Sequence, residues 1–235
     1  MHTLWNTFIY NPIYNALVFS AQHITLLDVG LAVVFVTVLI RLILMPLSKK
    51  SMKGQYVMRA LAPKIEAIKA QKLSKEAEAK ATFDLYKAEK VNPFSGCLYL
   101  LIQLPILFAL YFVFMNGINQ PEHLYSFLST DGLSSMFLGL VDITKPFLPF
   151  AILAGITQAV QAFLAPKQAS TGDEKSFQSQ LTKSLSVQTK FILPIIIIFI
   201  AAKLAAAVAI YWSVANLFSI GQELYFRKKF EALRK

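Results

Sequence analysis

VGLAVVFVTVLIRLILMPL, Val29 to Leu47, decides the reading of this chain. Its 19 residues carry one charge, Arg41, in a run close to the 20 or so apolar residues that cross a bilayer. The whole composition agrees. Of 235 residues 56% are hydrophobic and mean hydropathy is +0.53, above the roughly 45–50% apolar content of soluble domains. An integral membrane protein is expected, and a cation in mid-run then needs a reason.

Three further apolar regions follow. Phe94–Met115 is interrupted only by Ser95, Gln103 and Pro105, and Pro146–Ala165 is the next. The last, from about Ser184 to Arg227, is too long for one span: 44 residues of helix reach roughly 65 Å, twice the hydrocarbon thickness. Dividing it near Lys203 gives a fourth and a fifth span.

Charge checks the division. Eleven of the 23 Lys and Arg lie between Lys49 and Lys90, four between Lys167 and Lys190, and five from Arg227 onward. Five spans put all of these on one side, with nine acids, for a net +11; the other side carries Lys145, Lys203 and four acids, for −2. The positive-inside rule then places the N-terminus outside and the C-terminus in the cytoplasm. Four spans would strand Arg227, Lys228 and Lys229 outside.

The fold class expected is therefore all-α, with five transmembrane helices, an N-terminal interfacial amphipathic helix and a cytoplasmic helical hairpin. The interfacial helix covers 1–22, with Trp5, Tyr10 and Tyr14 as belt aromatics and Asn6, Asn11 and Asn15 off its apolar stripe. The spans are 23–48, 94–116, 146–165, 185–203 and 205–227. The hairpin occupies 49–93: Met58, Leu61, Ile65 and Ile68 form one stripe, Pro63 bends or restarts that helix, and Ser74 caps a second helix. Ala79, Phe83 and Tyr86 form the second stripe, which Asn92-Pro93 ends. An outer loop at 117–145 hugs the interface, a linker fills 166–184, and a short basic tail covers 228–235. The basic hairpin surface suits anionic headgroups or ribosomal RNA, or is an ordinary positive-inside loop.

Enzyme chemistry has little support. One cysteine, Cys97, excludes a disulfide framework, and His2, His23 and His123 are scattered outside the apolar runs. HExxH, GxSxG, GxGxxG and Walker patterns are absent. No metal, cofactor or DNA is expected.

Polar residues inside the spans are more informative. Thr37 lies one turn from Arg41, Gln103 is central in span two, and Gln158 and Gln161 share a face of span three. Trp212, Asn216 and Ser219 share a face of span five. Arg41 alone reads equally as a snorkelling side chain. Amides in three spans beside an arginine favour a shared wet cavity, because unmet polar groups in lipid cost several kcal/mol. Such a cavity would admit an acidic or hydrated polypeptide segment from the cytoplasm, while apolar segments leave sideways into lipid.

The order of short elements resembles the YidC/Oxa family of membrane protein insertases. It runs from Arg41 with Met45-Pro46 through Gln55, Met58, Ala62-Pro63-Lys64, Tyr86-Lys87 and Asn92-Pro93. Gly96-Cys97, Gln103-Leu104-Pro105-Ile106, Leu110-Tyr111, Tyr211-Trp212, Asn216 and Gln222 continue it, so that residues 20 to 228 are covered. The resemblance implies a groove open to cytoplasm and lipid but closed outside. In it Arg41 attracts acidic tails, Gln103 and Trp212 face substrate, and Thr37 and Tyr211 are weaker matches. It implies a mobile hairpin that receives nascent chains, and Cys97 as a small packing residue. Nascent membrane proteins and lipid are the implied partners, with a ribosome and a Sec-type translocon as further candidates and a monomer as the working unit. The compact form is expected, without a large domain before span one or a long basic tail. Two alternatives stand beside it: a small transporter or anion-binding protein using Arg41, and a pure membrane chaperone or scaffold.

Overall fold

The computed structural model describes residues 2–71, 73–91, 95–165 and 187–231. The 166–184 linker, the Asn92-Pro93 end of the hairpin and the last tail residues lie outside the described residues. Helix α1 (His2–Trp5) runs through a π turn into α2 (Asn11–His23), followed by α3 (Val29–Ile43) and α4 (Met45–Ala60). Next come α5 (Ala62–Ala70), α6 (Lys75–Ala88) and α7 (Ser95–Asn116). Strands β1 (Met136–Phe137) and β2 (Val141–Asp142) pair antiparallel, with Met136 opposite Asp142. Helices α8 (Leu148–Leu164), α9 (Leu193–Ala201) and α10 (Ala206–Glu231) complete the chain.

Local chemistry sets the helix ends. The Asp28 carboxylate accepts the Leu31 N–H at 2.9 Å and starts α3. Pro46, lacking an N–H and unable to sit inside a continuing helix, falls in the first turn of α4, and the chain bends by 61° at Leu44. The run Val29–Leu47 is thus two helices rather than one straight span. Among the described residues no single helix is long and apolar enough to cross a membrane; the bent α3–α4 pair passes by length and composition. Pro63 opens α5 in the same way, and the Ser74 hydroxyl caps α6 by accepting the Ala77 N–H. Helices α5 and α6 lie side by side, joined by Lys64 and Glu89 at 2.6 Å. Leu61 and Ile65 are buried in the hairpin's first stripe, whereas Phe83 is 50% exposed.

Helix α10 is the hub, packing on α3, α4, α7 and α8, while α9 packs on α8 and α2 on α3 and α7. The main core gathers Tyr14, Leu17, Val18, Val33, Val113 and Ala207. The 117–145 loop closes the end opposite the hairpin. Its Lys145 and Ile143 carbonyls accept the Ala206 and Ala207 N–H groups at 2.9 and 3.0 Å, meeting two orphan donors of α10. Leu138 N–H donates to Asp28 at 2.7 Å. Phe137 lies against Gly30, where a Cβ would come within 2.6 Å of its ring.

Tyr10 and Tyr14 correct an expectation. They are not interface aromatics but buried, at 3% and 0% exposure, and they tie the loop down. Tyr10 donates to Gln120 Oε1 at 2.5 Å and Tyr14 to the Ile118 carbonyl at 2.7 Å. Asn15, off the apolar stripe, is also buried: it donates to the His123 carbonyl and accepts from Tyr125 N–H, each at 2.7 Å. Hydrogen bonds to a distant loop explain why this polar face turns inward.

Burial holds the proton on Tyr10 and on Tyr14 above the usual tyrosine value of about 10. A raised acid stabilises the fold below that unfolded value and ceases to do so as pH climbs through the folded value. Alkaline titration followed by tyrosinate absorbance therefore shows late-ionising tyrosines, Tyr10 and Tyr14 among them, and the ionisation of these two coincides with loss of structure. Tyr10→Phe and Tyr14→Phe each remove one of them. Ionisation of both with the exposed tyrosines, and no structural change, contradicts this.

Candidate functional site

Arg41 sits in the last turn of α3, yet only 6% of it is exposed. A snorkelling side chain would lie on the rim; this one is enclosed by protein. Its charge acts on the hydroxyl of Tyr211, a residue of α10 that is 2% exposed. Gln103, half-buried on α7, donates its amide to the same Tyr211 hydroxyl. Three helices therefore bring Arg41, Tyr211 and Gln103 together. Thr37 is 2% exposed and donates to the Val33 carbonyl at 2.6 Å, so its proton is spent within α3.

The other predicted residues divide. Trp212 on α10 and Gln158 and Gln161 on α8 are half-buried. Asn216, expected on the same polar face as Trp212, turns into α8: it donates to Thr157 Oγ1 at 3.2 Å and to the Ala154 carbonyl at 3.4 Å. At 4% exposure it serves as an interhelical tie that fixes one wall of the site. Thr157, its partner, gave no sequence signal beyond being one more hydroxyl in an apolar helix.

A second polar group lies toward the hairpin end. A cleft of about 110 Å³ is walled by Ser48, Ser51 and Gln55 from α4, Gln161 from α8, and Ser219, Gln222 and Glu223 from α10. Ser48 donates to Gln222 Oε1 at 2.7 Å, and Tyr56 donates to the Glu223 carboxylate. Tyr56, Phe226 and Phe230 form an apolar cluster behind that bond. Of these residues only Gln161 was a predicted site residue, although Gln55 and Gln222 carry the family resemblance. Ser48, Ser51, Tyr56 and Glu223 are scattered polar positions that only the fold assembles. Among the described residues no group of three His, Cys, Asp or Glu is placed to hold a metal ion.

Comparison with known proteins gives consistent results. The model of the 60Kd inner membrane protein family matches residues 20–233. A protein of Clostridium tetani (strain Massachusetts / E88) named membrane protein insertase YidC is 36% identical over 202 residues, covering 85% of this chain and 81% of that one. Its namesake in Ectopseudomonas mendocina (strain ymp) is 32% identical over 233 residues, covering 99% of this chain and 36% of that one. This chain thus spans about a third of the length of the second relative and most of the first. A solved structure described as "Active YidC insertase crystal structure with the first transmembrane domain resolved" shares the fold, with a TM-score of 0.58 at 23% identity, over 92% of this chain and 46% of that one.

Proposed function

The chain belongs to the 60Kd inner membrane protein family, that of the YidC/Oxa insertases, and on that premise we propose that it inserts nascent membrane proteins by carrying their short hydrophilic tails across the bilayer. The observation that carries this reading is the enclosed Arg41 beside Tyr211 and Gln103. A buried cation is costly and is retained where it acts on something. In this reading its positive charge also attracts an acidic group in the entering tail.

Five segments cross the membrane in this reading. They are α3 with the start of α4, then α7, α8, α9 with its preceding turn, and α10. The hairpin faces the cytoplasm, and the charge asymmetry across the spans supports that orientation. The 117–145 loop and the buried tyrosines close the outer end, so a tail enters from the hairpin side. Gln103, Gln158, Gln161, Tyr211 and Trp212 supply a hydrated path, and Thr37 and Asn216 hold its walls. No bond is made or broken. Transfer of the apolar segment from water to lipid supplies the driving force.

Reconstitution tests the reading. Purified protein in liposomes, given a single-span substrate with a short acidic tail, renders that tail resistant to external protease. If the tail stays accessible while the substrate remains soluble and bound, the protein is a chaperone and the insertion reading fails. Accessible tails with no bound substrate would favour the transporter reading.

A further inference from the structure

The cleft between α4, α8 and α10 has features that Arg41 does not explain. Gln222 is 5% exposed, and its Nε2 has no hydrogen-bond partner among the described residues, although its Oε1 accepts from Ser48. Buried amide donors are almost always met, so an unmet one lining a cavity marks a place where an acceptor arrives. Two more amides, Gln55 and Gln161, line the same cleft from α4 and α8. Its polar walls thus offer neutral donors and acceptors from three helices.

Size and position narrow the occupant. The cleft holds about 110 Å³, several water volumes at about 30 Å³ each. That admits a short piece of extended chain and nothing folded. Along α10, Ser219 lies eight residues beyond Tyr211, about 12 Å toward the hairpin end. The carboxylate in the wall, Glu223, already receives the Tyr56 hydroxyl. Extended main chain presents a carbonyl and an N–H at every residue, which side-chain amides match on both counts.

We propose that this cleft is a main-chain binding site, which grips the extended backbone of an entering polypeptide whatever its side chains, before Arg41 engages the tail. The proposal rests on the insertion reading for its biological setting. The two have different signatures: Arg41 discriminates tails by charge, and the cleft does not.

Photo-cross-linking separates them. A benzoylphenylalanine at Leu164, an apolar residue of the cleft wall, is offered a neutral Ser/Gly-rich tail peptide and an acidic one, using the full chain in micelles. Adducts form with both peptides in similar yield. N-methylating alternate backbone amides of the neutral peptide, or introducing Gln222→Met, lowers the yield roughly tenfold, as expected for loss of one or two buried hydrogen bonds. Gln161→Leu, on the half-buried rim, acts in the same direction and serves where Gln222→Met fails to fold. Arg41→Ala leaves the neutral adduct unchanged. Adducts that need acidic side chains, survive N-methylation, or are absent altogether overturn the proposal. Adducts in micelles, together with no tail protection in the liposome assay, leave the cleft intact and count against the insertion reading alone.

Discussion

Gly155→Val lowers the unfolding free energy by about 3 kcal/mol and Gly155→Ala by about 1 kcal/mol, the range for overpacking a well-filled core. A Cβ at Gly155 would collide with Ile198 Cγ1 and stand 2.6 Å from its Cδ1 and 3.0 Å from the Pro194 carbonyl oxygen. The isoleucine, β-branched and inside a helix, has little χ1 freedom with which to yield, and the backbone carbonyl of α9 cannot retreat without moving the helix. The surroundings offer no slack, since Ala151, Ala201 and Ala209 are fully buried where α8, α9 and α10 meet. Small residues at such a meeting let helices approach closely, and that approach is the attraction between them in lipid. Helix α8 also carries Gln158 and Gln161 and receives the Asn216 tie, so parting it from α9 disturbs the wall of the site. Thermal unfolding in micelles checks the series. Ile198→Ala recovers much of the loss in the Gly155→Ala background and little with valine. An unchanged midpoint for Gly155→Val would mean that α8 and α9 are not packed as described.

Much of the helical architecture was legible because its determinants are local. Pro63 opens α5 and Ser74 caps α6, each readable from a few neighbours. What escaped is non-local. Nothing near Tyr10 or Tyr14 announces a loop about one hundred residues away, so two aromatics expected at the membrane interface are covered by that loop instead, while Phe8 of the apolar stripe stays exposed. Hydropathy joined Val29 to Leu47, because leucine and methionine look equally apolar on either side of the bend at Leu44. At the site, helical spacing placed Asn216 on a face with Trp212, but its amide turns to Thr157 on α8. Arg41 stood out because charge is rare in such a run. Ser48, Ser51, Tyr56 and Glu223 lie where polar residues are common, so composition gave them no contrast.

Arg41→Ala reduces insertion of acidic tails by roughly 2 kcal/mol in the barrier, about thirtyfold, which is the loss expected for one charge-assisted hydrogen bond. Neutral tails lose little. The variant folds, because removing a buried guanidinium also removes its desolvation cost. Arg41→Lys keeps the charge and gives up only the forked geometry, so its loss is a few-fold. A snorkelling arginine predicts none of this ordering, since a side chain that reaches the interface offers an entering tail no cation in either form.

The most direct test is protease protection of a short acidic tail in liposomes carrying the native protein, Arg41→Lys or Arg41→Ala. Protection with the native and lysine forms and its loss with alanine is the predicted result. Equal protection by all three would show that the enclosed cation does not work on the tail, and would contradict the account at its centre.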